Sequence, residues 1–158
     1  MVMGFSLYAL GSYIYTRNVK IKALDIARSL VINKGIVNLG AGYWHNELAK
    51  DICELPEVAC NVDFIGDAPK LIRANLEDAR LPFYDNQFDV AFASHILEHL
   101  NNWQDALTEW SRIADNVVLV LPKPWTLGNL TERDHKTYFL SSGVDFIEFK
   151  WNKVQVFI

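Results

Sequence analysis

The sequence predicts an α/β protein: a three-layer sandwich built on a mostly parallel sheet, with an antiparallel last strand. Three observations predict it. Short apolar runs alternate with stretches of helical spacing along the 158 residues, the pattern of strands joined by crossover helices. The first such run ends in a Gly-x-Gly turn, Gly40-Ala41-Gly42, where a strand passes into a helix. Half of the residues, 51%, are apolar, enough to cover a sheet on both faces.

Met1 to Thr16 carries no charge and is mostly apolar, and Arg17, Lys20 and Lys22 follow it. The run is shorter than the ~20 residues of a spanning helix, and no basic residue precedes it as in a secretory signal. Two readings stand for residues 1–17. They form a helix packed on the domain or on a partner protein, or a membrane-contacting anchor with its basic flank on the cytoplasmic side.

Residues 18–33 read as an amphipathic helix, with Ile21, Leu24, Ala27 and Val31 at helical spacing and Gly35 next to its C-cap. Ile36 to Leu39 is a short strand, 44–54 a helix with Leu48, Ile52 and Leu55 near one face, and Val58 to Phe64 a second strand. Gly66-Asp67-Ala68-Pro69 is loop chemistry, so no helix precedes the short third strand, Leu71 to Leu76. Leu81 to Asn86 is a turn, Phe88 to Ala93 a buried strand, and His95 to Leu100 a helical turn. The clearest helix is 102–114, capped by Asn101 or Asn102, with Trp103, Ala106, Leu107, Trp110, Ile113 and Ala114 on its apolar face. Val117 to Leu121 is a strand buried on both faces, stopped by Pro122 and Pro124. Phe146 to Phe149 and Val154 to Ile158 are two closing strands around Asn152-Lys153. Without repeat or linker, residues 1–158 read as a single domain.

The net charge of −4 and a pI near 5.5 give no global attraction to nucleic acid. Cys53 and Cys60 are too few for a disulfide framework or a zinc cluster; they read as reduced thiols of a cytoplasmic protein.

The chemistry concentrates at strand ends. Gly40 and Gly42 would let a ligand lie against bare backbone. Asp63, 21 residues beyond Gly42, stands where an acid at the tip of the next strand accepts hydrogen bonds from a ribose diol. A dinucleotide needs a third glycine to cradle its pyrophosphate, and His45 stands there. A nucleoside without phosphate needs only the first two glycines.

Further motifs follow in order: Ala74-Asn75-Leu76-Glu77-Asp78, Leu81-Pro82-Phe83, Asp85-Asn86-Gln87-Phe88-Asp89-Val90, and Ser94-His95-Ile96-Leu97-Glu98-His99-Leu100. From about Ile36 to Pro124 the chain resembles the class I S-adenosylmethionine-dependent methyltransferases, most closely the small type-11 group. The resemblance implies S-adenosylmethionine as cofactor and a Rossmann-like fold. It implies that Gly40, Ala41 and Gly42 pass under the methionine and ribose, that Asp63 holds the ribose hydroxyls, and that Phe64 lies against the adenine. Asn75, Leu76 or Glu77 would line the adenine amino edge. Ser94 and His95 would face the sulfonium and the acceptor, with His95 the best-placed proton acceptor and His99 or His135 as alternatives. Tyr43 and Trp44 are candidates for cation–π contact with the sulfonium, or packing residues. The stretch with Trp125, Arg133, Asp134, His135, Lys136 and Tyr138 would form the substrate side, or a solvated loop.

Three positions depart from the family pattern. Asn38 stands where an acid is usual, Trp44 where a small residue is frequent, and Asn75 where an acid is common. The expected function is methyl transfer to an acceptor that is small, or large and held by a partner protein or membrane. The alternative is an inactive methyltransferase-like binding or assembly module docking through its apolar N-terminus. The expected location is cytoplasmic, with membrane association through residues 1–17 left open.

Overall fold

Apolar residues alternating between the two sides of the central strands build a sheet with two buried faces. The computed structural model of the chain describes residues 2–42, 47–123, 134–137, 146–148 and 153–157. The strands are β1 (Ile36–Leu39), β2 (Val58–Asp63), β3 (Leu71–Arg73), β4 (Phe88–Ser94), β5 (Ala114–Val120), β6 (Phe146–Glu148) and β7 (Lys153–Phe157). They form one sheet in the order β3-β2-β1-β4-β5-β7-β6. The helices are α1 (Val2–Ser29), α2 (Glu47–Cys53) and α3 (Trp103–Ile113), with a 3-10 turn at Leu97–His99.

Ile36, Val58, Val90, Phe92, Val118 and Val120 cover one face and pack against Ala23 and Ala27 of α1 and Ile52 of α2. Val37, Leu39, Val62, Ala91, Ala93, Val117 and Leu119 cover the other, against Ala106, Leu107, Trp110 and Ile113 of α3. The period-two split puts a helix layer on each side of the sheet, which is the three-layer sandwich expected. The connection from β2 to β3 holds no helix, also as expected.

Three expectations are corrected. First, the apolar N-terminal run and the amphipathic stretch are one continuous helix, α1. It ends at Ser29, not at 33, because the backbone N–H groups of Ile32, Asn33, Lys34 and Gly35 all donate to Asp89 Oδ2, at 2.6–3.0 Å. Gly35 therefore belongs to a turn around Asp89 rather than to a helix cap. Its φ of +81° and a Glu57 carbonyl 2.8 Å from where a Cβ would stand leave room for glycine alone.

Second, the last strand is parallel. β7 runs with β5, and β6 is the strand that opposes the sheet. An antiparallel pair added to a parallel sheet must place one member against the common direction. The inner place falls to β7, whose Val154 and Val156 are buried, so the reversed strand is β6 at the edge.

Third, Asn102 occupies the N-cap of α3 but its side chain makes no cap hydrogen bond. Glu77 instead holds the residues that lead into the helix. Its Oε1 accepts from the backbone N–H of Asn101 at 2.5 Å and of Asn102 at 3.2 Å.

Candidate active site

β1 and β4 lie side by side, and the chain runs outward from β1 to β3 before crossing back to β4. That crossing is the switch point at which α/β sheets open a crevice beyond their C-terminal strand ends. Gly40-Ala41-Gly42 leaves the end of β1, and Ser94-His95 leaves the end of β4.

Gly40 and Gly42 both take left-handed φ, +72° and +68°. A Cβ on Gly40 would stand 2.7 Å from Ile96 Cγ1, whereas one on Gly42 would meet only the Gly40 carbonyl at 4.0 Å. Gly42 thus presents bare backbone on that side, where no other described residue beyond its chain neighbours comes within 4 Å of the Cβ position. Asp63, at the tip of β2, accepts from the Gly42 N–H at 2.7 Å through Oδ2 and from the Ile65 N–H at 3.2 Å through Oδ1. Phe64 beside it is 71% exposed, a large apolar surface at the strand end.

A cavity of about 50 Å³ opens here, lined by Lys20, Asn38, Gly40, Ala41, Ile52 and Ser94 among others. The Asn38 amide donates to Asn61 Oδ1 at 2.7 Å, and Asn61 in turn donates to the carbonyls of Cys53 and Pro69. The Ser94 hydroxyl is buried, with no hydrogen-bond partner among the described residues. Burial lowers the pKa of Lys20, against the opposing pull of Glu98. Sequence reasoning missed Lys20 by counting it into a basic flank. The signal was its spacing, since Lys20 is three and seven residues before the buried Ala23 and Ala27 and so shares their stripe.

His95 turns the chain away from β4. Its φ is +55°, a conformation uncommon outside glycine and concentrated at functional sites, and its N–H donates to the Val120 carbonyl at 2.9 Å. Burial, then Lys20, His135 and His99, push its pKa down to about 3, so the imidazole is neutral at pH 7 and only weakly basic. The other expected residues are spread further. Leu76 is buried in the core beneath α3. Glu77 holds the start of α3, and Asn75 Oδ1 accepts from the Glu77 N–H at 3.1 Å. Tyr43, Trp44, His45, Trp125, Arg133 and Tyr138 lie outside the described residues.

A family model described as a methyltransferase domain matches residues 37–117. The chain belongs to this family, the type-11 group of class I methyltransferases. The match runs from β1 into β5 and includes both strand ends that flank the crevice.

Solved structures that the chain matches include a chain of the complex between the Haloferax volcanii Trm112 methyltransferase activator and a candidate methyltransferase, 15% identical over 70% of this chain and 54% of that one, with a TM-score of 0.39. The YcgJ protein of Bacillus subtilis is 17% identical over 61% of this chain and 48% of its own, with a TM-score of 0.42. The [4+2]-cyclase SpnF is 16% identical over 63% and 40%, with a TM-score of 0.39. The chain thus spans about half the length of the solved structures it matches. No curated protein matches it. Among the described residues, no helix is long and apolar enough to cross a membrane.

Proposed function

We propose that this chain transfers a methyl group from S-adenosylmethionine to an acceptor that is small or is delivered by a partner. The observation behind this reading is the glycine turn at the switch point, with Gly42 open on one side and bonded to Asp63 on the other. The residues fit the amino-acid end of the cofactor: the Lys20 ammonium suits a carboxylate, and the unpartnered Ser94 hydroxyl is a buried polar group in want of one. The cofactor supplies a methyl carbon already activated by positive sulfur. This chain's residues orient rather than activate. Asp63 exchanges the Gly42 N–H for ribose hydroxyls, Phe64 offers a stacking face, and His95, with its depressed basicity, shapes the acceptor side.

One observation favours the alternative, a binding module without turnover. The cavity of about 50 Å³ is far below the ~300 Å³ and upward of a small-molecule pocket. Under the enzyme reading, Lys20 and the Asp63 carboxylate move aside as ligand enters. The exposed Tyr8, Leu10, Tyr13 and Ile14 of α1 support contact with a partner or membrane surface under either reading.

The test is calorimetric titration with S-adenosylmethionine and S-adenosylhomocysteine. Micromolar binding is expected, weakened about tenfold or more by Asp63→Ala and by Lys20→Met as charge-assisted hydrogen bonds are lost. Melting curves of both variants separate lost binding from lost folding. No heat and no thermal shift with either ligand on the folded wild type would leave the binding module as the function.

A further inference from the structure

We propose that Glu98, His99 and His135, with His95 beside them, form a binding site for a divalent first-row transition ion, zinc foremost. One ligand atom from each of Glu98, His99 and His135 lies within 4.8 Å of the others. Side-chain shifts of under about 1 Å bring such a set to the spacing that ligands at 2.0–2.2 Å keep around one zinc ion. Two imidazoles and a carboxylate suit zinc and its neighbours, and not magnesium or calcium, which take oxygen ligands.

Glu98 supplies an independent observation. Its side chain is 1% exposed, and among the described residues neither carboxylate oxygen has a hydrogen-bond partner. A buried carboxylate without donors is costly unless something positive faces it. The nearest imidazole nitrogen, His95 Nδ1, stops at 3.6 Å from Glu98 Oε1, beside the three ligand atoms.

His99 is already oriented as a ligand. Its Nδ1 lies 3.3 Å from the Asp134 carbonyl. A carbonyl only accepts, so Nδ1 carries the hydrogen and Nε2 keeps its lone pair, the arrangement that metal-bound histidines use. His135 is brought to the site by the backbone, as the N–H groups of Lys136 and Thr137 both donate to the Glu98 carbonyl, at 2.7 and 3.1 Å. The His99 and His135 rings meet edge to face at 4.7 Å. A bound ion would fasten residues 134–137 to the 3-10 turn, one element away from Ser94. This inference does not rest on methyl transfer.

Lys20 is the rival occupant, since its charge also reaches Glu98. The experiment uses the untagged full chain, stripped with chelator and titrated with Zn²⁺, then with Co²⁺ as a spectroscopic stand-in. About one equivalent is expected to bind, with the intense d–d absorption of a four-coordinate cobalt site. His135→Ala and Glu98→Gln, each checked for folding by circular dichroism, should weaken binding at least about 100-fold. Absence of Zn²⁺ binding by the folded wild type would overturn the proposal and leave Lys20 as the balancing charge. Equal affinity in wild type and the folded His135→Ala protein would overturn it as well.

Discussion

Asp89 stands at the entry of β4 with one carboxylate oxygen accepting four backbone N–H groups. Burial alone would raise its pKa, but the four donors outweigh burial and hold it below the usual carboxylate value. Asp89→Ala would strand those donors and should cost about 3 kcal/mol or more at pH 7, read by urea unfolding. The folded pKa is depressed, so this stabilisation is present above the unfolded value of about 3.9 and is lost as pH falls through the folded value. The gap between wild type and variant should therefore narrow in acid. The place of Asp89, just before an apolar run, was legible. Its four partners were not, because they come from a turn more than fifty residues upstream.

Helix α3 shows the same limit at the scale of an element. Its apolar stripe, Ala106, Leu107, Trp110 and Ile113, faces the sheet as its spacing foretold. Its entry is held from elsewhere, since the Glu77 carboxylate sits at the positive end of the helix and accepts the N–H groups of Asn101 and Asn102, the two residues before Trp103. Those donors, with the Asn101 side chain, outweigh burial and lower the Glu77 pKa. Glu77→Ala should destabilise the fold by about 1 kcal/mol, as the two backbone N–H groups lose their acceptor, measured as a lower thermal midpoint. Helix α1 was legible as two pieces because the first charges begin at Arg17. Charge does not interrupt a helix, and the backbone continues through it.

Over the whole molecule, strand positions were legible and strand directions at the far edge were not. Apolar runs mark where a strand is, but side-chain alternation is the same whichever way the strand points. The order in which β7 lies inside β6 can be checked by proline. Val156→Pro would break the ladder between β5 and β7 and should cost about 3 kcal/mol or more, while a proline at Ile147 on the edge strand should cost less. Chemical-denaturation midpoints of the two variants would reverse if β6 were the inner strand. The glycine turn at the end of β1 and Asp63 at the tip of β2 were likewise readable as positions, because each follows an apolar run that marks its strand. Lys20 and the histidine cluster were not, since they meet only when α1 and residues 134–137 fold onto the strand ends.

The junction of α3 and β5 has a consequence for how such a chain can drift. Ile113 closes the helix and Ala114 opens the strand, with no residue between them. Inserting one residue inside β5 would exchange Val117 and Leu119 with Val118 and Val120 across the sheet, turning one face's core toward the other. The seam is thus closed to insertions and deletions and open only to substitution. The helix-free stretch between Asp63 and Leu71 can grow or shrink at little cost in closure entropy. Length variation among descendants of this sequence should collect on the β2–β3 side and stop at the α3–β5 seam.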